Sequence, residues 1–387
     1  MKKTLLAAAL MGIMGSASAA DSDRITDLEK QVKRLKNESS WADNVKISGF
    51  GSVGVGKANN AAGYAHYTDE RYDTNIDSIL GLQFEFKVND QAKVVTQISA
   101  SGRYDWAVDV DSAYISYDFD GFTARAGKMK APLFMFSDYV DVGYAYPMIR
   151  PSQEMYENII LSSYTGADML IPFDIGESTL LLQPFGGNSE IKERDSSFGN
   201  TKLDMFFGLT AHLYYDDWTF RTSYITAQTA VQFDSNNTGN LVANTIDDET
   251  ASFIALGLQY DNGGLMLLAE ATQTTVSGEF TDVFSAYVLT GYRFGSVMPY
   301  IMVSHNQTTD DEKRDGNPQL SWLDYESMAY SVGSRWDFAQ NVALKLDVTY
   351  ADFGDTHGGK FSYNMDAAMQ PIENDTFVYS ATVDFVF

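Results

Sequence analysis

Residues 80–100 read LGLQFEFKVNDQAKVVTQISA. Leu80, Leu82, Phe84, Phe86 and Val88 alternate with Gly81, Gln83, Glu85 and Lys87. After Asn89-Asp90, Val94, Thr96, Ile98 and Ala100 alternate with Lys93, Gln97 and Ser99. Side chains of a strand point to opposite faces in turn, so each run has one apolar and one polar side. Asn and Asp supply the backbone conformations of a two-residue hairpin. The stretch is therefore a hairpin, and the same period opens and closes the chain. Near the start Val45, Ile47, Gly49, Gly51, Val53 and Val55 alternate with Lys46, Ser48, Phe50 and Ser52. In the last strand, Asp375 to Phe387, the residues Phe377, Tyr379, Ala381, Val383, Phe385 and Phe387 oppose Thr376, Ser380, Thr382 and Asp384. Apolar-out, polar-in segments of about ten residues are the signature of a membrane β-barrel.

The connections separate a barrel from a soluble sandwich. Tight turns fall at Asn89-Asp90, Asp120-Gly121, Gly176-Glu177, Asp216-Asp217, Asn262-Gly263, Gly295-Ser296 and Ala339-Gln340. Longer polar connections fall at about 57–74, 104–108, 129–157, 186–201, 228–248, 276–281, 306–324 and 353–374. Short and long alternate strictly, and together they join sixteen strands. A membrane barrel has that order because one rim faces the periplasm and the other faces outside. Phe86, Phe119, Phe122, Tyr215, Trp218, Tyr260, Phe294, Trp336 and Phe338 flank short turns, where amphipathic rings suit the headgroup level. An even strand count brings both chain ends to one rim, so the last strand pairs with the first. Closure is required, because an open edge in lipid leaves backbone groups unsatisfied.

One connection differs from the rest. Residues 128–158, KMKAPLFMFSDYVDVGYAYPMIRPSQEMYEN, carry three of the eight prolines and six aromatic residues. Pro132, Pro147 and Pro151 exclude a central strand. Long loops with structure of their own are usually functional. This one is expected to fold into the barrel and narrow it.

The 387 residues include no cysteine, which excludes thiol catalysis and disulfides. No apolar run after the N-terminus is long enough for a transmembrane helix. Residues 1–20 read as a secretory signal: Lys2 and Lys3, an apolar Thr4–Gly15, and Ala17-Ser18-Ala19 before cleavage after Ala19 or Ala20. The net charge of −25 becomes −27 once Lys2 and Lys3 are removed. Nucleic acid is thus excluded as a partner on charge. Acidic outer loops suit either solubility or divalent cations that bridge lipopolysaccharide. In residues 21–40, Ile25, Leu28, Val32 and Leu35 are spaced 3, 4 and 3 apart, a two-heptad coiled-coil seam. Two heptads are marginal alone, so the seam needs a trimeric barrel to hold three copies together; the plainer alternative is a frayed linker helix.

The cleaved signal, sixteen strands, terminal Phe387 and long loop after the fifth strand resemble the trimeric porins. The seam, together with GKMKAPLF at 127–134 and VGYAYPMIRPSQEMY at 142–156, is similar to the DcaP-like porins, relatives of the phosphate-selective porins. The resemblance implies an inward constriction loop, a homotrimer, a periplasmic N-terminal coiled coil and a preference for small anionic solutes. The dense arginine ladder of the phosphate porins is not evident here.

A pore's selectivity comes from its width and from the charges lining it. Alternation points Lys46, Lys93, Arg103, Arg125, Arg221, Arg293, Arg335 and Lys345 inward, with Glu85, Asp118, Asp204, Glu270, Asp337, Asp347 and Asp384. Arg335 or Asp337 is placed to pair with Lys345 or Asp347. Arg103, Arg125, Lys128, Lys130 and Arg150 are expected to form a basic face at mid-channel. Asp138, Asp141, Glu154 and Glu157 would oppose it, with Tyr144 and Tyr146 nearby. The alternative for the acidic set is hydrogen bonding of the loop to the wall, and it is the favoured one for Glu154 and Glu157.

The expected architecture is all-β: a signal at 1–20, a coiled-coil segment at 21–40, and a sixteen-stranded antiparallel transmembrane β-barrel over 41–387 with an inward constriction loop at 129–157. The expected function is an outer-membrane porin of a Gram-negative bacterium that passes small hydrophilic solutes, preferably anions, without a cofactor. A cation-preferring porin is the alternative. An outer-membrane enzyme is opposed by the lack of a motif around His66, His212, His305 and His357. A peptidoglycan tether acting through 21–40 is the third reading. The acidic clusters Asp69-Glu70, Asp247-Asp248-Glu249 and Asp310-Asp311-Glu312 lack a calcium-loop pattern.

Overall fold

The computed structural model describes Lys30 and residues 44–157, 161–191, 200–232, 249–278, 280–314, 323–354 and 372–387. The expected signal and the seam of Ile25, Leu28, Val32 and Leu35 lie outside them. The strands are β1 (Val45–Ala58), β2 (Ile79–Lys87), β3 (Ala92–Ser101), β4 (Val108–Phe119), β5 (Phe122–Lys130), β6 (Ser163–Ile175), β7 (Ser178–Ile191) and β8 (Asn200–Tyr215). They continue as β9 (Trp218–Gln232), β10 (Glu249–Asp261), β11 (Leu265–Val276), β12 (Val283–Tyr292), β13 (Val297–Thr308), β14 (Glu326–Ala339), β15 (Val342–Asp352) and β16 (Asp375–Val386). All sixteen pair in chain order into one closed antiparallel barrel, as the alternation requires.

Closure joins β1 to β16, with Phe50 opposite Val386 and Ala58 opposite Val378. Beyond the ladder, Gly49 and Phe387 exchange both backbone hydrogen bonds at 2.9 Å. The Phe387 ring lies over Gly49, where a Cβ would come within 2.3 Å of it. An aromatic ring covering a bare glycine restores the packing that a glycine in a strand forgoes.

The tight turns fall where the sequence places them, with one shift: β14 and β15 turn at Gln340-Asn341, not Ala339-Gln340. Ala339 still pairs with Val342, after a register shift from Trp336, and Asn341 takes φ 61°. Asn tolerates the left-handed region, so it holds the turn position. Phe119, Tyr215, Phe294, Trp336 and Phe338 are exposed beside these turns, an outward aromatic belt at one rim.

Alternation holds on the outer face all round the barrel: Leu80, Ile115, Leu209, Leu256, Ile301, Val332, Leu346 and Tyr379 are exposed. The inner face departs from the expected polar-in pattern. Phe185, Phe206, Ile225, Phe253, Leu268, Tyr287, Leu289, Tyr300 and Met302 are buried on the inner sides of β7–β13. They form one cluster with Leu133, Phe134, Phe136, Tyr146, Met148 and Met155 of the segment after β5. The reason is the segment itself: its apolar side chains need an apolar seat, and half the inner wall supplies it. The polar-in pattern survives on β15 and β16, where Lys345, Asp347, Thr349, Thr376, Ser380, Thr382 and Asp384 are buried.

Phe387→Ala should lower unfolding stability by up to ~1 kcal/mol, the scale of a cross-strand pair. Urea-dependent loss of the compact form on unheated gels would measure it. An unchanged midpoint would show that the ring does not assist closure.

Candidate functional site

The segment between β5 and β6 has little regular structure: short 3-10 turns at Ser137–Tyr139 and Gly143–Ala145, then one helical turn, α1 (Gln153–Tyr156). Its prolines block a ladder, so its backbone groups need partners elsewhere. The wall provides them. On β8 and β9, Thr210 and Ser223 donate to the Pro132 carbonyl at 3.2 and 2.8 Å. Arg221 Nη1 reaches the Leu133 carbonyl at 2.6 Å, and its Nη2 reaches that of Pro132 at 2.5 Å. On β11, Glu270 accepts from the Met135 amide at 2.7 Å and from the Tyr156 hydroxyl at 2.8 Å; Tyr287 donates to the same carboxylate at 2.7 Å.

The far wall holds the other half. Arg335 Nη1 donates to the Tyr144 carbonyl at 2.6 Å, with its guanidinium 4.5 Å from the Tyr144 ring centre. Lys345 Nζ donates to the carbonyls of Gly143 and Met148 at 2.5 and 2.7 Å and pairs with Asp384 at 2.9 Å. Gly143 is required by close approach, since a Cβ there would meet Asp384 and Ser52 oxygens at 2.7 Å. A segment that touches the buried side of β8, β9, β11, β13, β15 and β16 of one closed sheet lies within it.

The acidic member Glu154 is fully buried. Its carboxylate accepts from Tyr64 at 2.7 Å, Ser304 at 2.6 Å and Ser152 at 3.3 Å. Asn306 donates to the Glu154 carbonyl at 2.8 Å. Burial pushes the Glu154 carboxyl above its usual range, although these donors oppose the shift. Glu157 pairs with Arg103 at 2.7 Å. Both residues therefore fasten the segment rather than face a solute.

The five expected bases do not form an open basic face. Arg125 lies bidentate on Asp168, with Nε–Oδ1 at 2.8 Å, and Gln183 supports the carboxylate at 2.8 Å. Lys130 pairs with Asp141, and Arg103 with Glu157. Arg150 pairs with Asp77, donates to Ser380 at 3.0 Å, and stands over the Tyr67 ring at 5.3 Å. Lys128 points the other way. Its register partners Ala113 and Thr165 are exposed, whereas its neighbour Met129 is buried. The Lys128 Nζ donates to the Val110 carbonyl at 2.6 Å on the outer side. Gly127 takes φ 137°, yet the register runs through it unbroken on both sides, so that parity holds.

The free side of the segment is the turn carrying Asp138, which is exposed, with Tyr139, Asp141 and Tyr144 half-buried beside it. Asp138 is the acidic group of the segment left exposed; Asp141 is tied to Lys130, and Glu154 and Glu157 are fastened to the wall and the first loop. The expected wall pairs also differ. Arg335 pairs with Asp337 of its own strand at 2.8 Å, and Asp347 accepts from Tyr300 at 2.7 Å. Sequence reasoning missed Asp168 and Asp77. Asp168 shares the inner side of β6 with Tyr164, a parity the sequence carries; Asp77 lies in an irregular connection that gives no such signal. Of the acidic clusters, Asp310 is paired with Lys313 at 3.1 Å; Asp247 and Asp248 lie outside the described residues.

No protein-family model and no curated protein matches the chain. Solved structures do. An anion-selective porin from Comamonas acidovorans is 14% identical, with a TM-score of 0.59 over 89% of this chain and 99% of that one. The trimer form of in-vitro folded OmpT, an outer membrane protein of Vibrio cholerae, is 12% identical, with a TM-score of 0.55 over 89% and 99%. A double mutant of the Rhodobacter blastica porin is 16% identical, with a TM-score of 0.51 over 89% and 100%. The fold is that of the outer-membrane porin barrels.

Burial alone would raise the Asp77 carboxyl, but Arg150, with a hydrogen bond from Tyr67, outweighs it and holds the group below its ordinary value. A depressed carboxylate stabilises the fold above its unfolded pKa of about 3.9 and loses that contribution as pH falls through the folded value. Asp77→Asn should therefore cost about 3 kcal/mol at neutral pH, the low end for a broken buried pair because Ser380 still accepts from Arg150. It should also flatten the decline of the melting temperature below about pH 4. Calorimetry of both proteins from pH 3 to 8 reads this; parallel curves would refute the anchor.

Proposed function

We propose that the chain is an outer-membrane diffusion channel of the porin type, narrowed by residues 131–157, that passes small hydrophilic solutes without covalent chemistry. The observation that carries the reading is the segment's attachment to opposite walls, through Arg221 and Glu270 on one side and Lys345 and Arg335 on the other. Such a crossing leaves an opening on the side of Asp138, Asp141 and Tyr144. Width and charge at that opening set what passes.

The charge reading changes from that expected of the sequence. Four of the five bases end against carboxylates and the fifth lies on the outer face. A neutralised base contributes little net field, whereas exposed Asp138 keeps its charge at the opening. The pore is accordingly weakly selective and leans toward cations; the small-anion preference loses its basis in the five bases. We extend the reading to residues outside the described set: 1–20 as a cleaved signal, and 21–40 as a periplasmic coiled coil of a homotrimer. The chain then lies in the outer membrane, with lipid and lipopolysaccharide around it.

Reversal potentials in planar bilayers across a KCl gradient test this, with wild type, Asp138→Asn, Arg125→Ala and Lys128→Ala. The expected wild-type potential favours potassium, falls toward zero in Asp138→Asn, and is unchanged in Lys128→Ala. Arg125→Ala frees Asp168 and should increase the potassium preference. A chloride-favouring wild type would restore the anion reading, and no conductance at all would remove the channel.

A further inference from the structure

Among the described residues, the outer face of the barrel carries a recess. It lies across β14, β15, β16 and β1, with a volume of about 530 Å³ and walls that include Val55, Val332, Leu346, Val348, Tyr379 and Ala381. The registers explain it. One cross-strand row runs Val55, Ala381, Leu346, Ser334; the next, nearer the long loops, runs Lys57, Tyr379, Val348, Val332. Small side chains at Ala381 and Ser334 leave space on either side of Leu346 in the first row, and Tyr379 bounds that space in the second. The floor is apolar and open: Leu346 is 53% and Val332 63% exposed.

The recess also has a lid and a charge. Gly56 and Asp73 exchange backbone hydrogen bonds at 3.0 and 2.9 Å, which clamps the returning first loop onto the edge of β1. That clamp sets Tyr72 beside Val55 as part of the recess wall, although Tyr72 is 72% exposed. Lys57 stands at the loop end of the same face, its Nζ 5.4 Å from the Tyr72 ring centre. An apolar trough with an amphipathic ring and an ammonium at one end fits a molecule of matching polarity.

We propose that this recess seats one acyl chain of an outer-leaflet phosphorylated glycolipid, with Lys57 and the Tyr72 hydroxyl receiving its phosphate. The assignment rests on the outer-membrane reading above, which places the long-loop rim outside. Charge complementarity selects the occupant. Tyr72 and Lys57 form an interfacial pair at the depth where a phosphate sits above its chains, and a basic residue near a membrane surface favours an anionic headgroup by about fivefold.

Native mass spectrometry of the detergent-purified full protein titrated with bisphosphorylated lipid A tests the site, with dephosphorylated lipid A and phosphatidylcholine as comparators. Bisphosphorylated lipid A should be retained in preference to both. Lys57→Ala should reduce its affinity about fivefold, the worth of one interfacial base, and leave dephosphorylated lipid A unaffected. Ala381→Trp, which fills the trough from the outer face, should abolish retention without altering oligomer mass. Equal retention of the two lipid A forms, unaltered affinity in both variants, or dissociation of an oligomer by Ala381→Trp would each overturn the proposal; the last would assign the recess to a second copy. Conductance of the same preparations is read separately. A wild type that conducts but retains no lipid A loses the recess and keeps the channel; one that retains lipid A but does not conduct loses only the channel.

Discussion

Everything inside the barrel depends on buried wall charges meeting backbone groups that have no ladder of their own. Arg221, Glu270 and Lys345 are each nearly or wholly buried. An uncompensated charge there would cost several kcal/mol. The segment after β5, broken by three prolines, has carbonyls and amides that no strand can satisfy. Arg221 and Lys345 take up its carbonyls, and Glu270 takes up an amide. Each component satisfies the other: the segment covers the wall charges, and those charges take up backbone groups that it cannot pair itself. That mutual requirement makes the segment part of the fold rather than a loop appended to it.

The apolar contacts act on the same assembly by a different route. Phe134 stacks near Tyr156 at 4.4 Å between ring centres and meets the Phe253 ring edge-on at 5.7 Å. Such pairs add about 0.5–1.5 kcal/mol each beyond the area they bury. They explain why half of the inner wall is lined with Phe, Leu and Met. They also fix the position of the polar contacts, because the rings leave the segment a single seat in which Glu270 reaches both the Met135 amide and the Tyr156 hydroxyl.

Period and punctuation made most of this fold legible. A two-residue period, strict alternation of short and long connections, and aromatics at the short turns together require a closed even-stranded barrel, and no tertiary information is needed to see it. The position of the long internal segment followed from the same count. The site was less legible, for two physical reasons. Alternation states which side of a sheet a residue occupies, but not whether the enclosed space is water or packed chain, so the apolar inner residues of β7–β13 read as exceptions. Pairing is also non-local: Arg150 meets Asp77 across 73 positions and Arg125 meets Asp168 across 43. Proximity in sequence groups five bases that the structure separates; the alternation itself, three residues being an odd step, puts Lys128 on the opposite side of its strand from Arg125.

These pairings determine how the segment responds to its surroundings. From Ala131 to Phe136 and again from Tyr146 to Met155 the segment is almost entirely buried. Between them, Ser137 to Ala145 is partly exposed and held chiefly by Arg335, Lys345 and the Lys130–Asp141 pair. Packed interiors resist displacement, and the groups that hold the turn are themselves largely buried, Lys345 wholly so, where salt screens them little. A change in ionic strength therefore acts on exposed Asp138 rather than on the contacts that hold the turn or on its buried flanks. The segment's position is thus set by its buried flanks and by the buried groups that hold the turn, while its exposed charge is carried at Asp138.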